Sequence, residues 1–174
     1  GHRPISHAGG LQDSAKQVIH CGNPRSWADF ASMTLRFYPK PGTVLVCDFA
    51  TGFKPPEMTK IRPVVTLSPR LRSKSELITV VPLSSTPPKP VMPFHHLMLP
   101  DSLPKRYANA ATWAKCDMLY TVSMDRLDRV RETPDTAGRR QYIAMQVTST
   151  DLRAVQQAVL CGLGLDQGEL GKDT

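Results

Sequence analysis

Two residues of opposite charge stand two positions apart in Trp113-Ala114-Lys115-Cys116-Asp117-Met118-Leu119-Tyr120. Read as a strand, this segment turns Ala114, Cys116, Met118 and Tyr120 to one largely apolar face. Lys115 and Asp117 then share the other face, roughly 7 Å apart. A cation and a carboxylate so placed suit acid and base work on either side of a scissile phosphodiester. The plainer alternative is an ion pair on a solvated face, which is worth little energy. A second candidate is Arg62, in Lys60-Ile61-Arg62-Pro63-Val64-Val65-Thr66-Leu67-Ser68-Pro69. Pro63 pushes Arg62 into an extended conformation and bars a helix there. A guanidinium on the rim of a sheet either clamps phosphate through two hydrogen bonds or is simply solvated. Ser84, followed by Ser85 and Thr86, either donates to a phosphate oxygen or caps the turn before Pro87-Pro88. No glycine pattern of a nucleophile elbow surrounds it. His95 and His96 point to opposite faces of any strand that contains them. An imidazole there can shuttle protons near neutral pH; the plainer expectation is one surface and one half-buried ring. Adjacent histidines lack the i, i+4 spacing of a helical zinc motif.

Such groups need a scaffold, and from Tyr38 onward the chain reads as short strands separated by turn residues. Pro39-Lys40-Pro41-Gly42 predicts a turn before a strand over 43–49. Further strands are expected over 64–67, 77–83, 94–99 and 112–122, with a basic hairpin over 127–147 turning near 134–138. Proline and glycine punctuation at this spacing predicts a small barrel. The last element is a helix, with Ser149 or Thr150 as its cap and Asp151 in its first turn. Leu152, Val155, Val159 and Leu160 have helical spacing, and Gly162 and Gly164 suit its exit. Residues 1–32 read as a partly disordered N-terminal extension in which Gly1-His2 looks like a cloning remnant. Residues 33–165 read as the folded domain, with Met33 as a possible natural start, and residues 166–174 as a polar tail.

The chain has 174 residues, and Lys plus Arg outnumber Asp plus Glu by 22 to 15, giving a net charge of +7. That excess suits an anionic partner, or equally a merely soluble basic protein. Arg126, Arg129, Arg131, Arg139 and Arg140 either track a nucleic-acid backbone or form a solvated basic face. Tyr107, Trp113 and Tyr120 can stack on bases if exposed and otherwise belong to the core. Cys21, Cys47, Cys116 and Cys161 form no C-x-x-C pair, and free buried thiols in a reducing cytosol fit better than disulfides or zinc. No stretch is long enough to span a bilayer, and the N-terminus lacks an apolar signal core. The expected location is cytoplasmic.

Three blocks carry a family resemblance: Pro41-Gly42-Thr43-Val44-Leu45-Val46-Cys47-Asp48-Phe49, the Arg62-Pro63 block from Lys60 to Pro69, and Val80-Val81-Pro82-Leu83-Ser84-Ser85. In order and spacing they resemble the MazF/PemK toxins of type II toxin–antitoxin modules. Lys115-Cys116-Asp117 with Thr121-Val122 is similar to the "R-C-D-x-x-R-T-I" of the PemK type. The resemblance covers about residues 38–163. It implies an α+β, mainly β fold: a small SH3-like (CcdB/PemK-type) barrel with a C-terminal helix. It also implies a homodimer, and a cognate antitoxin that occupies the RNA-binding grooves.

The implied activity is sequence-preferring endonucleolytic cleavage of single-stranded RNA, without a metal or other cofactor. The 2′-hydroxyl attacks phosphorus and leaves a 2′,3′-cyclic phosphate, so DNA would not be cut. Carried over by position, Arg62 contacts the scissile phosphate and Asp117 is the base. Ser84 stands where many members have threonine, and Lys115 stands where the PemK type has arginine. Ser85, Lys60, His95 and His96 are candidate RNA contacts. The loop 50–59, the proline-rich 86–93, the histidine pair and residues 1–32 have no counterpart in the family pattern. Two other readings remain: a non-catalytic toxin fold that binds gyrase or another protein, and a nucleic-acid-binding regulator.

Overall fold

The computed structural model describes residue 35 and residues 37–70, 73 and 76–165. The expected N-terminal extension, Cys21 and the C-terminal tail lie outside the described residues. Among the described residues, ten strands follow in chain order. They are β1 (Thr43–Cys47), β2 (Arg62–Thr66), β3 (Leu77–Ser84), β4 (His95–Leu97), β5 (Trp113–Lys115), β6 (Tyr120–Ser123), β7 (Leu127–Asp128), β8 (Val130–Glu132), β9 (Gln141–Ile143) and β10 (Met145–Gln146). A short helix α1 (Lys105–Ala108) precedes β5, and a long helix α2 (Ser149–Gly162) closes the fold.

Eight strands form one curled antiparallel sheet in the order β10-β1-β2-β3-β5-β4, with β6 also on β3 and β7 also on β1. The basic hairpin β8–β9 stands apart as a two-stranded sheet, turned through Asp135, whose backbone carbonyl accepts from the Gly138 N–H. Both faces of the large sheet are buried along its middle, which is why consecutive residues there, Val64-Val65 and Val80-Val81, are apolar. Val44, Val65, Val81, Leu83, Ala114 and Cys116 face one core, shared with Val155, Ala158 and Val159 of α2. Their neighbours Leu45, Cys47, Val64, Ile78, Val80 and Val122 face a second core around Phe49 and Leu127. Each valine that α2 buries contributes about 2 kcal/mol.

Three strand expectations change. The hairpin read over 127–147 pairs with itself only between β8 and β9, while β7 and β10 at its two ends pair with β1. The segment read as one strand over 112–122 is two strands, β5 and β6, separated by a turn that the Met118 N–H closes onto the Lys115 carbonyl at 3.0 Å. The proline at 63 does not stand before its strand but inside it, opposite Val46. The reason lies in the hydrogen-bond phase. Leu67 N–H donates to the Thr79 carbonyl at 2.8 Å. Bonded β2–β3 pairs therefore recur at 67/79 and 65/81, and the next would need a donor on Pro63. Pro63 has none, so its bare edge faces the side on which β3 departs, and the ladder stops at Val64↔Pro82.

The cap of α2 is Thr148, one residue before the expected position: its Oγ1 accepts from the Asp151 N–H at 3.2 Å. Asp151 is buried and its carboxylate points away from the helix. Oδ1 meets His96 Nε2 at 2.7 Å and Oδ2 accepts from the Leu99 N–H at 2.9 Å. At the other end, Gly164 has φ +70°, and the Leu165 N–H returns to the Leu160 carbonyl at 2.8 Å. Burial raises the Asp151 carboxyl, but hydrogen bonds from Ser102, His96 and Leu99 together with the His96 charge hold it below the ordinary aspartate range.

A depressed folded pKa stabilises the fold above the unfolded value and loses that contribution as pH falls through the folded one. Asp151→Ala is expected to cost about 3 kcal/mol in urea unfolding at neutral pH. The deficit should shrink below the ordinary aspartate value of 3.8. A deficit unchanged from pH 6 to pH 2.5 would contradict this account.

Candidate active site

The departure of β3 from β2 determines what stands at this end of the sheet. Arg62 and Ser84 each lie two residues beyond the last β2–β3 pair, Arg62 opening β2 and Ser84 closing β3. Beyond Pro82, β3 pairs with β5 instead, through Leu83↔Ala114 and Ser84↔Trp113. Because Val81 donates toward β2, the bare nitrogen of Pro82 faces the opposite edge. There the partner chain changes from β6, ending at Val80↔Tyr120, to β5. Between them, Cys116 still donates to the Phe94 carbonyl at 3.2 Å, and residues 117–119, which include Asp117, turn out of the ladder.

Opposed residues of an antiparallel pair, and alternate residues along a strand, share a face. Ser84 therefore shares a face with Trp113, Trp113 with Lys115 and Leu97, and Lys115 with His95 through the pair His95↔Lys115. The same alternation sets Arg62 beside Cys47 and Val64, on the face of the second core. Arg62, Ser84, Trp113, Lys115 and His95 thus lie on the face away from α2, and the carboxylate of Asp117, in the turn after β5, reaches that face at His95. His96 turns to the other face and is held by Asp151. Neither histidine is a surface residue: the His95 and His96 side chains are 9% and 25% exposed.

Arg62 is half-buried, and its Nε is buried without a hydrogen-bond partner. The Trp113 Nε1 is in the same condition. Ser84 is buried, and its Oγ accepts from the Thr86 N–H at 3.2 Å, so the turn-cap role is present and its hydroxyl proton stays free to donate. Lys115 is half-buried and Asp117 is exposed. Burial lowers the Lys115 ammonium below the ordinary lysine value, with the Asp117 carboxylate opposing the shift. Among the described residues, none of Arg62, Ser84, Lys115 and Asp117 is hydrogen-bonded or ion-paired to another of the four. Asp117 instead lies 3.6 Å from His95 Nε2. Ser85 and Lys60 are exposed, Ser85 directly after β3 and Lys60 two residues before β2.

Other candidates lie away from this polar end of the sheet. Tyr120 packs with Phe49 and Phe53 at ring-centroid distances of 5.0 and 5.5 Å, and its hydroxyl accepts from the Met58 N–H. Arg126 stacks on Phe53 at 5.2 Å and donates to the Asp48 and Thr51 carbonyls, so it ties down the loop 50–60. Arg139 pairs with Asp135 at the hairpin tip. Burial pushes the Cys47 thiol up to about 12 despite the Arg126 charge, and burial together with the Asp117 charge pushes Cys116 up to about 12. Cys47, Cys116 and Cys161 are all free, and the first two are poor nucleophiles. Among the described residues no group of three or more His, Cys, Asp and Glu side chains converges as metal ligands do. No helix among them is long and apolar enough to cross a membrane. The pairing of His95 with Asp117 had no sequence signal, since it depends on the β4–β5 register and on the bulge.

Comparison with known proteins supplies independent information. The family model described as PemK-like, MazF-like toxin of type II toxin–antitoxin system matches residues 40–160. No curated protein matches in sequence. Among solved structures, a crystal form of MazF from Deinococcus radiodurans is 17% identical and superposes with a TM-score of 0.51, covering 74% of this chain and 98% of its own. A mycobacterial endoribonuclease is 20% identical, with a TM-score of 0.49 over 74% of this chain and 94% of its own. Another mycobacterial endoribonuclease, in complex with its cognate antitoxin, is 19% identical, with a TM-score of 0.48 over 73% and 96%. Likeness at these identities is one of fold. The family match, by contrast, extends over most of the chain, from the turn before β1 to the last turns of α2. The chain belongs to the PemK-like, MazF-like toxins of type II toxin–antitoxin systems.

Proposed function

We propose that this toxin is a sequence-preferring endoribonuclease that cuts single-stranded RNA without a metal. The observation that carries the reading is the gathering of Arg62, Ser84, Lys115 and Asp117 on one face of the sheet, around the ends that Pro63 and Pro82 free from pairing. Asp117, exposed at the tip of its bulge, accepts the proton of the attacking 2′-hydroxyl. Arg62 and Lys115 stabilise the charge that builds on the phosphorane oxygens, and Ser84 donates its hydroxyl proton to one of them. Arg62 also steadies the charge that develops on the leaving 5′-oxygen, which takes its proton from water. The products are a 2′,3′-cyclic phosphate and a 5′-hydroxyl. Ser85 and Lys60 contact the flanking strand. The toxin domain spans residues 33–165, works as a homodimer in the cytoplasm, and is neutralised by a cognate antitoxin whose acidic segment suits a chain of net charge +7. Support for the antitoxin comes from family membership and from a similar mycobacterial endoribonuclease seen with its own antitoxin.

Incubation with single-stranded RNA in EDTA, with mapping of the new ends, tests the reading. Arg62→Ala and Asp117→Asn are each expected to lower the cleavage rate by about 10²-fold or more, and the matching DNA should stay intact. Growth arrest in cells with every RNA intact would instead favour a toxin that poisons a protein.

Lys115 offers a separate test. A lysine whose pKa is lowered loses its charge, and with it phosphorane stabilisation, as pH rises through a value below 10.5. The rate should therefore fall on that alkaline limb. Lys115→Arg should keep activity within about threefold at neutral pH and abolish the limb, because a guanidinium stays protonated. Lys115→Met should lose about tenfold or more at neutral pH.

A further inference from the structure

Two contacts and its burial hold His95 in one orientation. Its Nδ1 accepts the Met92 N–H at 3.1 Å, its ring meets the Phe94 ring edge-on at 4.7 Å, and its side chain is 9% exposed. A ring nitrogen that accepts a backbone N–H carries a lone pair, so in the neutral ring the proton sits on Nε2. Nε2 is the atom 3.6 Å from Asp117 Oδ1. That separation is slightly long for a hydrogen bond, as such contacts often are before substrate tightens them.

Both partners are fixed from behind as well. A Cβ on Gly162, at the end of α2, would lie 3.2 Å from the Cys116 carbonyl, 3.3 Å from Phe94 Cβ and 3.4 Å from Asp117 Cα. The helix end thus presses on the two segments that carry Phe94-His95 and Cys116-Asp117. On the opposite face of β4, His96 locks the strand to α2 through buried Asp151.

We propose that His95 is the positioning residue for Asp117, donating Nε2–H to Oδ1 so that Oδ2 is the oxygen presented to the 2′-hydroxyl. The part this plays in turnover rests on the endoribonuclease reading; the contact itself does not. The two adjacent histidines then divide the work, His96 holding the strand and His95 aiming the carboxylate. An exposed carboxylate on a bulge has rotamers to choose from, and a donor on a rigid ring removes the unproductive ones.

Kinetics on an RNA oligonucleotide carrying the cleavage site mapped for the wild-type protein give the first test. His95→Asn keeps an acceptor near Met92 but cannot reach Asp117; kcat should fall about tenfold with KM unchanged. His95→Gln places an amide N–H near the Nε2 position and should recover most of that loss. In an Asp117→Asn background, His95→Asn should cost nothing further. A rise in KM at constant kcat would make His95 an RNA contact and overturn the proposal, as would equal defects in the Asn and Gln variants. The second test needs no activity. In ring-nitrogen NMR spectra of the wild-type protein, His95 should show a protonated Nε2 and an unprotonated Nδ1, and Asp117→Asn should move the Nε2 resonance. An Nδ1–H tautomer, or an Nε2 indifferent to Asp117, would overturn the contact even if the protein cuts RNA. If these spectra agree but no RNA is cut, the endoribonuclease reading fails while the contact stands.

Discussion

Two missing backbone donors shape this molecule. Pro63 and Pro82 lie at neighbouring points of β2 and β3, and the strand phase turns their bare nitrogens to different edges of the sheet. At Pro63 the β2–β3 ladder has no donor to continue with, and β3 leaves for β5. At Pro82 the partner strand has no donor to meet, and the chain between β5 and β6 bulges outward. The first break frees Arg62 and Ser84 from mutual pairing; the second lifts Asp117 out of the sheet. A sheet with a regular ladder here would tie these backbones together and turn Asp117 into one more strand residue. What is lost in ladder bonds is returned by packing, since Val64, Val65, Val80 and Val81 beside the prolines are all buried.

The sheet's two faces divide structure from chemistry. One face is filled by α2, whose Val155, Ala158 and Val159 cover the central strands. The other is closed by the Phe49, Phe53 and Tyr120 cluster over most of its length and becomes polar only where the strands separate. β4 connects the two arrangements. It is an edge strand of only three residues, so its pairing with β5 alone would hold it weakly. The buried Asp151 carboxylate, bonded both to His96 and to the Leu99 N–H, fastens that edge to the helix and keeps the other face of β4 in register with Lys115.

On the proposed reading, charge at this end of the sheet suits an anion. Arg62 and Lys115 approach the same face without carboxylates bonded to them, and Lys115 holds its proton less tightly because it is partly desolvated. Asp117 stands outside the ladder near a histidine, and among the described residues it is ion-paired with neither cation. A phosphodiester with a hydroxyl beside it is a natural complement to two cations and a separate base. Membership of the toxin family gives this arrangement a biological setting, while the low identity to solved relatives leaves the chemistry to be argued from the residues themselves.

Much of this could be read without coordinates. Alternating and continuous apolar runs mark the strands, and the spacing of Leu152, Val155 and Val159 marks the helix. The Arg62-Pro63 and Pro82-Leu83-Ser84 blocks point to the end of the sheet where the candidate groups gather. These are local signals, carried by φ restriction, side-chain alternation and helical period. The helix cap fell at Thr148 rather than Ser149 or Thr150, because several hydroxyls in a row satisfy the same local rule and the Ser102 contact decides among them. Lys115 and Asp117 were identified from their spacing, but not as they stand, since the break between β5 and β6 depends on a proline in another strand. The partnership of His95 with Asp117 was likewise invisible. Sequence by itself determined which residues are extended, helical or chemically able; tertiary structure decided which of them meet. The reason is that strand register is a non-local choice, made by two buried faces and the hydrogen-bond phase of the whole sheet.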